Sequence, residues 1–127
     1  MSQLEPLERG VIEKLLEGDD ETLAKLRRQF EKTVVVKREM TGVGFYTTLT
    51  VKEVVYRIDD RSFVFGDVIA EIPGLENGAG FLLFVRDGLL DCLEGYTYGD
   101  ERWPQQLTGF TLRYEKAGQR DLTGLSD

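Results

Sequence analysis

Gly80-Phe81-Leu82-Leu83-Phe84-Val85-Arg86, then Asp87-Gly88, then Leu89-Leu90-Asp91-Cys92-Leu93-Glu94-Gly95 is the stretch that decides the fold. Asp-Gly between two apolar runs marks a β-hairpin, because a two-residue type I′ turn needs positive φ at both central positions. Closure by two residues fixes a register. It pairs Arg86 with Leu89, Val85 with Leu90, Phe84 with Asp91, Leu83 with Cys92, Leu82 with Leu93 and Phe81 with Glu94. One face then carries Val85, Leu90, Leu83, Cys92 and Phe81; the other carries Leu89, Phe84, Leu82 and Leu93, with Asp91 among them. Both faces are apolar, so this hairpin is expected at the centre of its sheet.

Upstream of the hairpin, the period of the apolar residues changes once. Ser2 and Glu5 have capping-box spacing, and Leu4, Leu7, Val11 and Leu15 recur at three- and four-residue steps, which predicts a helix over about residues 3–17, ended by Gly18. Asp19 and Asp20 open a second helix, with Leu23, Leu26 and Phe30 inward and Lys25, Arg27 and Arg28 toward its end, as the helix dipole favours. From Thr33 the period becomes two. Thr33–Val36 and Phe45–Val51 form a hairpin about Thr41-Gly42, Val54-Val55-Tyr56 extends or follows its second strand, and Phe63–Ile72 is a third strand stopped by Pro73-Gly74. Gly109–Tyr114 supplies a last strand. The predicted class is α+β, with two N-terminal helices on one face of a curved, mostly antiparallel sheet of about six strands. Residues 1–114 form one domain in this reading and 115–127 a polar C-terminal tail. Two helices cover only one face, so the second apolar face must be buried by curling, a loop or another copy of the chain.

The composition of the 127 residues removes whole classes of function. There is no histidine, which excludes Ser-His-Asp and Cys-His nucleophile systems, His-ligated metals and imidazole proton transfer. The one cysteine, Cys92, forms neither an internal disulfide nor a Cys-x-x-Cys motif, so a cytoplasmic setting is expected. No leader peptide and no run of about 18 apolar residues is found, so no membrane association is expected. The net charge is −7, and its placement is uneven: residues 71–101 hold one basic and seven acidic residues, net −6, while the rest is close to balanced. That argues against nucleic acid and for a basic protein partner.

Three groups of residues are candidates for a site. Asp67 and Glu71 read as sharing one strand face with Phe63, Phe65 and Ile69; as a carboxylate pair in an apolar pocket they would suit acid/base or glycosidase chemistry, and otherwise they are the wet end of a strand. Asp91, Glu94, Tyr96, Tyr98, Asp100, Glu101 and Trp103 are the densest acidic and aromatic run. Aromatic anchors ringed by carboxylates select a basic partner; the competing reading puts Tyr96 and Tyr98 inward beside Phe81 and Cys92, with Trp103-Pro104 as packed loop. Leu82, Phe84 and Leu93 form an apolar face for a homodimer. No cofactor and no metal is expected: the Gly42-Val43-Gly44 and Gly78-Ala79-Gly80 runs do not join strand to helix as phosphate loops do, and the Asp pairs lack EF-hand spacing.

The pattern Gly42-Val43-Gly44-Phe45, Gly66-Asp67-Val68, Gly74-Leu75, Gly78-Ala79-Gly80-Phe81, Leu93-Glu94-Gly95-Tyr96-Thr97-Tyr98 and Trp103-Pro104 resembles a family of small, uncharacterised bacterial proteins. The match spans roughly residues 3–114 and implies a bacterial source and one domain, with no activity attached. In size, acidity and α+β order the chain is similar to immunity proteins of bacterial toxin systems. The leading expectation is a non-enzymatic acidic module that binds a basic protein, as an immunity-type inhibitor does. The alternatives are a small-ligand binder or carboxylate-based hydrolase with a pocket between helices and sheet, and a homodimeric structural protein.

Overall fold

A computed structural model describes residues 3–52, 56–116 and 120. Helix α1 runs Pro6–Leu15 and α2 Glu21–Phe30; the strands are β1 Thr33–Met40, β2 Gly44–Val51, β3 Phe63–Phe65, β4 Val68–Glu71, β5 Ala79–Arg86, β6 Leu89–Thr97 and β7 Thr111–Tyr114. Every pairing is antiparallel, in the order β1-β2-β6-β5-β4-β7, with β3 on the same edge of β5 as β4. The class is α+β, with both helices on one face of a seven-stranded sheet.

Local chemistry sets the helix ends. Glu5, not Ser2, precedes α1: its N–H donates to the Glu8 carboxylate at 2.7 Å, and Pro6 occupies a first-turn position where no N–H is needed. Asp20 caps α2 by accepting from the N–H groups of Thr22 (2.7 Å) and Leu23 (3.3 Å). Leu7, Val11, Ile12 and Leu15 of α1 and Leu23 and Leu26 of α2 are fully buried against Phe81, Leu83 and Leu93 in one core. Gln29 of α2 is buried too. Its amide donates to the carbonyls of Tyr56 (2.9 Å) and Gly88 (2.8 Å) and accepts from Leu90 N–H (2.9 Å), which ties α2 to the β5–β6 turn.

The central hairpin forms with positive φ at Asp87 (52°) and Gly88 (81°), but its register differs from the sequence reading. Arg86 pairs with Leu89 and Val85 with Leu90; then Asp91 is squeezed out as a bulge, and Phe84 pairs with Cys92, Leu83 with Leu93, Leu82 with Glu94 and Phe81 with Gly95. The reason is burial. Leu90 and Leu93, 2% and 0% exposed, are three residues apart, and a period of two cannot bury both unless one residue is inserted. The same conflict splits the expected third strand: Phe65 and Val68, again three apart, are both buried, and the chain breaks pairing at Gly66-Asp67 to make β3 and β4. Seven strands replace about six for this reason. Val54 and Val55 lie outside the described residues.

Candidate functional site

Registers across β1, β2, β6, β5 and their neighbours place three rows of side chains on the sheet face away from the helices. Glu39, Tyr46, Glu94 and Leu82 form one; Lys37, Thr48, Cys92, Phe84 and Val64 another; Tyr96, Gly80, Ile69 and Arg113 a third. Tyr96 and Tyr98 meet edge to face, 5.6 Å between centroids, and lie so close over Gly80 that a Cβ there would sit 2.5 Å from the Tyr98 hydroxyl. Tyr46 is 40% and Val64 41% exposed. Glu94 stands at the middle of the first row, and its hydrogen bond, then its charge, hold the Tyr46 hydroxyl above the usual phenol range. Among the described residues no Lys or Arg lies within ion-pair distance of Glu94.

The acidic and aromatic run is therefore divided by the fold. Glu94, Tyr96 and Tyr98 belong to this outer face. Asp91 is the bulge residue, 4.0 Å from Arg86, and Asp100 is exposed at a positive φ of 59°. Glu101 is engaged internally, accepting from the N–H groups of Glu76 (2.9 Å) and Asn77 (3.0 Å). Trp103 packs on the opposite side, edge to face with Phe45 at 5.2 Å, and is 7% exposed. The proposed dimer face is also divided: Leu82 and Phe84 stay outside, whereas Leu93 moves inside through the bulge and is fully buried opposite Leu83. Tyr96, across from Gly80, does not share the face of Phe81.

The carboxylate pair is undone by the break at Gly66-Asp67. Glu71 lies on the outer face, half-exposed and 3.2 Å from Arg113. Asp67 is 1% exposed and is held by both arms of Arg120, at 2.8 and 2.9 Å. Arg120, in the segment expected as a tail, also donates to the carbonyls of Leu15 (2.8 Å) and Glu17 (2.5 Å) and stacks 4.3 Å from the Tyr114 ring. Burial opposes its charge, but the hydrogen bonds and attraction of Asp67 outweigh that and raise its pKa. Asp67 is thus the anchor of a clamp on the end of α1.

Sequence reasoning missed a second buried ion pair. Glu8, 2% exposed, accepts from Arg38 Nε (2.8 Å) and Nη2 (2.6 Å), from the Thr47 hydroxyl and from Glu5 N–H. The bonds to Glu8, ahead of desolvation, raise the Arg38 pKa. The signal was present: Glu8 follows Leu4 by four and precedes Val11 by three, which sets a carboxylate on the apolar stripe. This pair floors a cleft of about 420 Å³ whose apolar walls are Met40, Phe45, Trp103, Pro104 and Leu107.

Among the described residues no three Asp, Glu or Cys side chains are grouped to hold a metal ion, and no helix is long and apolar enough to cross a membrane. No protein-family model, curated protein or solved structure matches the chain.

Cys92 and two tyrosines make an alkaline test of this packing. Burial, then the charges of Asp91 and Glu94, push the Cys92 thiol up to about 11. Burial leads for Tyr96 and Tyr114 as well, each raised to about 12, with Tyr98 and Glu17 as the next causes. The folded chain therefore keeps protons that the unfolded chain releases from pH 9 upward for Cys and 10 for Tyr. The stability these groups contribute is whole below pH 9 and is lost as pH rises toward 12. Urea midpoints should fall steadily over that interval, less steeply in Tyr114→Phe; a flat profile would contradict the assignment.

Proposed function

We propose that this chain is a non-enzymatic binding module that docks a basic protein segment on the uncovered face of its sheet. The observation that carries the reading is Glu94: a carboxylate that no Lys or Arg of the described residues pairs, centred among Tyr46, Leu82, Tyr96 and Tyr98 on the sheet face away from the two described helices. An arginine or lysine laid there gains an ion pair with Glu94 and an aromatic face beside it, the combination from which interface hot spots are built. The excess of acid along residues 71–101 would draw such a partner in. Size, acidity and α+β order suit an immunity-type inhibitor of a basic toxin, working in the cytoplasm with its lone thiol reduced.

The test is binding of a deca-arginine peptide, followed by calorimetry and by amide shifts. Binding is expected to perturb Tyr46, Glu94 and Tyr96, and Glu94→Gln to weaken it about tenfold, the value of one charge-assisted contact of roughly 1.5 kcal/mol. Glu101 is left unchanged, because it holds the 76–77 turn. Unaltered affinity in Glu94→Gln overturns the reading.

A second reading rests on the cleft under Trp103. Its volume of about 420 Å³ lies within the range of small-ligand sites, roughly 300–1,000 Å³, and Arg38 Nη1 makes no hydrogen bond among the described residues. A small apolar ligand with a polar head would fit these walls. Asp67 and Glu71 do not line this cleft; the carboxylates there are Glu5 and Glu8, the latter bound by Arg38. A ligand held here raises the melting temperature of the wild type and of Glu94→Gln alike.

A further inference from the structure

We infer that the free edge of β1 is a self-complementary docking surface for a second copy of this chain, paired antiparallel about a two-fold axis at Arg38. β1 is eight residues long and ends the sheet; among the described residues it pairs only with β2. The hydrogen bond from Thr41 N–H to Gly44 carbonyl, 3.0 Å, closes the β1–β2 turn and sets the alternation along the ladder. Glu39 and Lys37 turn their backbone groups to β2, which leaves those of Arg38 and Met40 at the open edge. Val36 is the extra residue of a bulge between Val35 and Lys37, so the regular part of the edge is short and its phase is fixed.

What faces that edge reads the same from both directions. A two-fold axis at Arg38 sets Lys37 of one copy beside Glu39 of the other, and Val36 beside Met40. Val36 and Met40 are each 58% exposed, more than any other large apolar side chain of the described residues. Lys37 and Glu39, 61% and 62% exposed, already lie 3.3 Å apart within one chain; the crossing turns two such pairs into an alternating square of four charges. These are sites without cross-strand backbone bonds, where facing side chains come closest, about 4.5 Å between Cα atoms. Arg38 meeting Arg38 brings no bare charge, because Glu8 binds each guanidinium with two hydrogen bonds. Shifting the axis by one residue puts Lys37 on Lys37 or Glu39 on Glu39. Of these three axes, the one at Arg38 alone sets opposite charges side by side.

Sedimentation velocity on the full chain at rising concentration provides the test. The wild type is expected to move from 14.4 kDa toward twice that mass. Lys37→Glu and Glu39→Lys, each of which makes a like-charged contact, should weaken association about tenfold or more, and the double swap Lys37→Glu/Glu39→Lys should restore it. Circular dichroism of the single variants separates lost pairing from lost fold, since both residues are exposed. A wild type that stays at 14.4 kDa overturns the proposal, as does a dimer indifferent to the single changes or a swap that fails to rescue. None of these outcomes touches Glu94, so the basic-partner reading stands or falls separately.

Discussion

Asp67→Ala will cost about 3–5 kcal/mol of folding free energy in urea denaturation, the loss typical of breaking one side of a buried ion pair. The carboxylate is 1% exposed and the Arg120 side chain 16%, so neither partner can exchange the other for water. Removing Asp67 leaves a guanidinium facing the end of α1 with carbonyls and the Tyr114 ring to receive it, but no hydrogen-bonded carboxylate among the described residues. Arg120→Ala leaves the carboxylate bare and also frees two carbonyls, that of Leu15, left without an intrahelical donor because the helix stops there, and that of Glu17 just beyond it. Its cost should be at least as large. Arg120→Lys keeps the charge but not the fork, so it should recover less than half of the loss. The double variant Asp67→Ala/Arg120→Ala should fall well short of the sum of the singles, since the two share one interaction. Against the roughly 5–15 kcal/mol that hold a domain of this size together, that is a third or more of the whole in most cases, so the urea midpoint of Asp67→Ala should fall by a comparable fraction. Single losses under about 1 kcal/mol would show that Arg120 is not seated on Asp67 in solution.

The clamp also marks where sequence reading stops. Local chemistry was legible: the Asp87-Gly88 turn, the Asp20 cap, the switch of period at Thr33 and the antiparallel pairing all depend on residues within a few positions of one another. The register of β6 was not, although its cue lay in the chain. Leu90 and Leu93 cannot both face inward on a regular strand, and neither can Phe65 and Val68; in both cases the core wins and the strand yields a residue. Missing the Asp91 bulge moved Leu93, Cys92 and Tyr96 to the wrong faces, and missing the break at Gly66-Asp67 moved Glu71. The candidate site suffered most, because a run contiguous in sequence, residues 91–103, passes from a bulge through a strand and a turn to the far side of the sheet. Nothing local connects Asp67 with Arg120, 53 residues away.

Arg38→Ala is the second large effect, about 3–5 kcal/mol at neutral pH, and it tests whether Glu8 is buried as an ion. Two of the four hydrogen bonds to Glu8 come from Arg38; the Thr47 hydroxyl and Glu5 N–H remain. They hold the carboxylate in place but bring no positive charge, so the variant carries an unpaired anion against Phe45 and the first turn of α1. Glu8→Gln/Arg38→Gln, which keeps hydrogen-bonding groups and removes both charges, should therefore be more stable than Arg38→Ala, whereas a cavity alone would make the double change at least as costly as the single one. Urea denaturation of wild type and both variants decides it; a small loss in Arg38→Ala would mean that water reaches Glu8 through the cleft beneath Trp103.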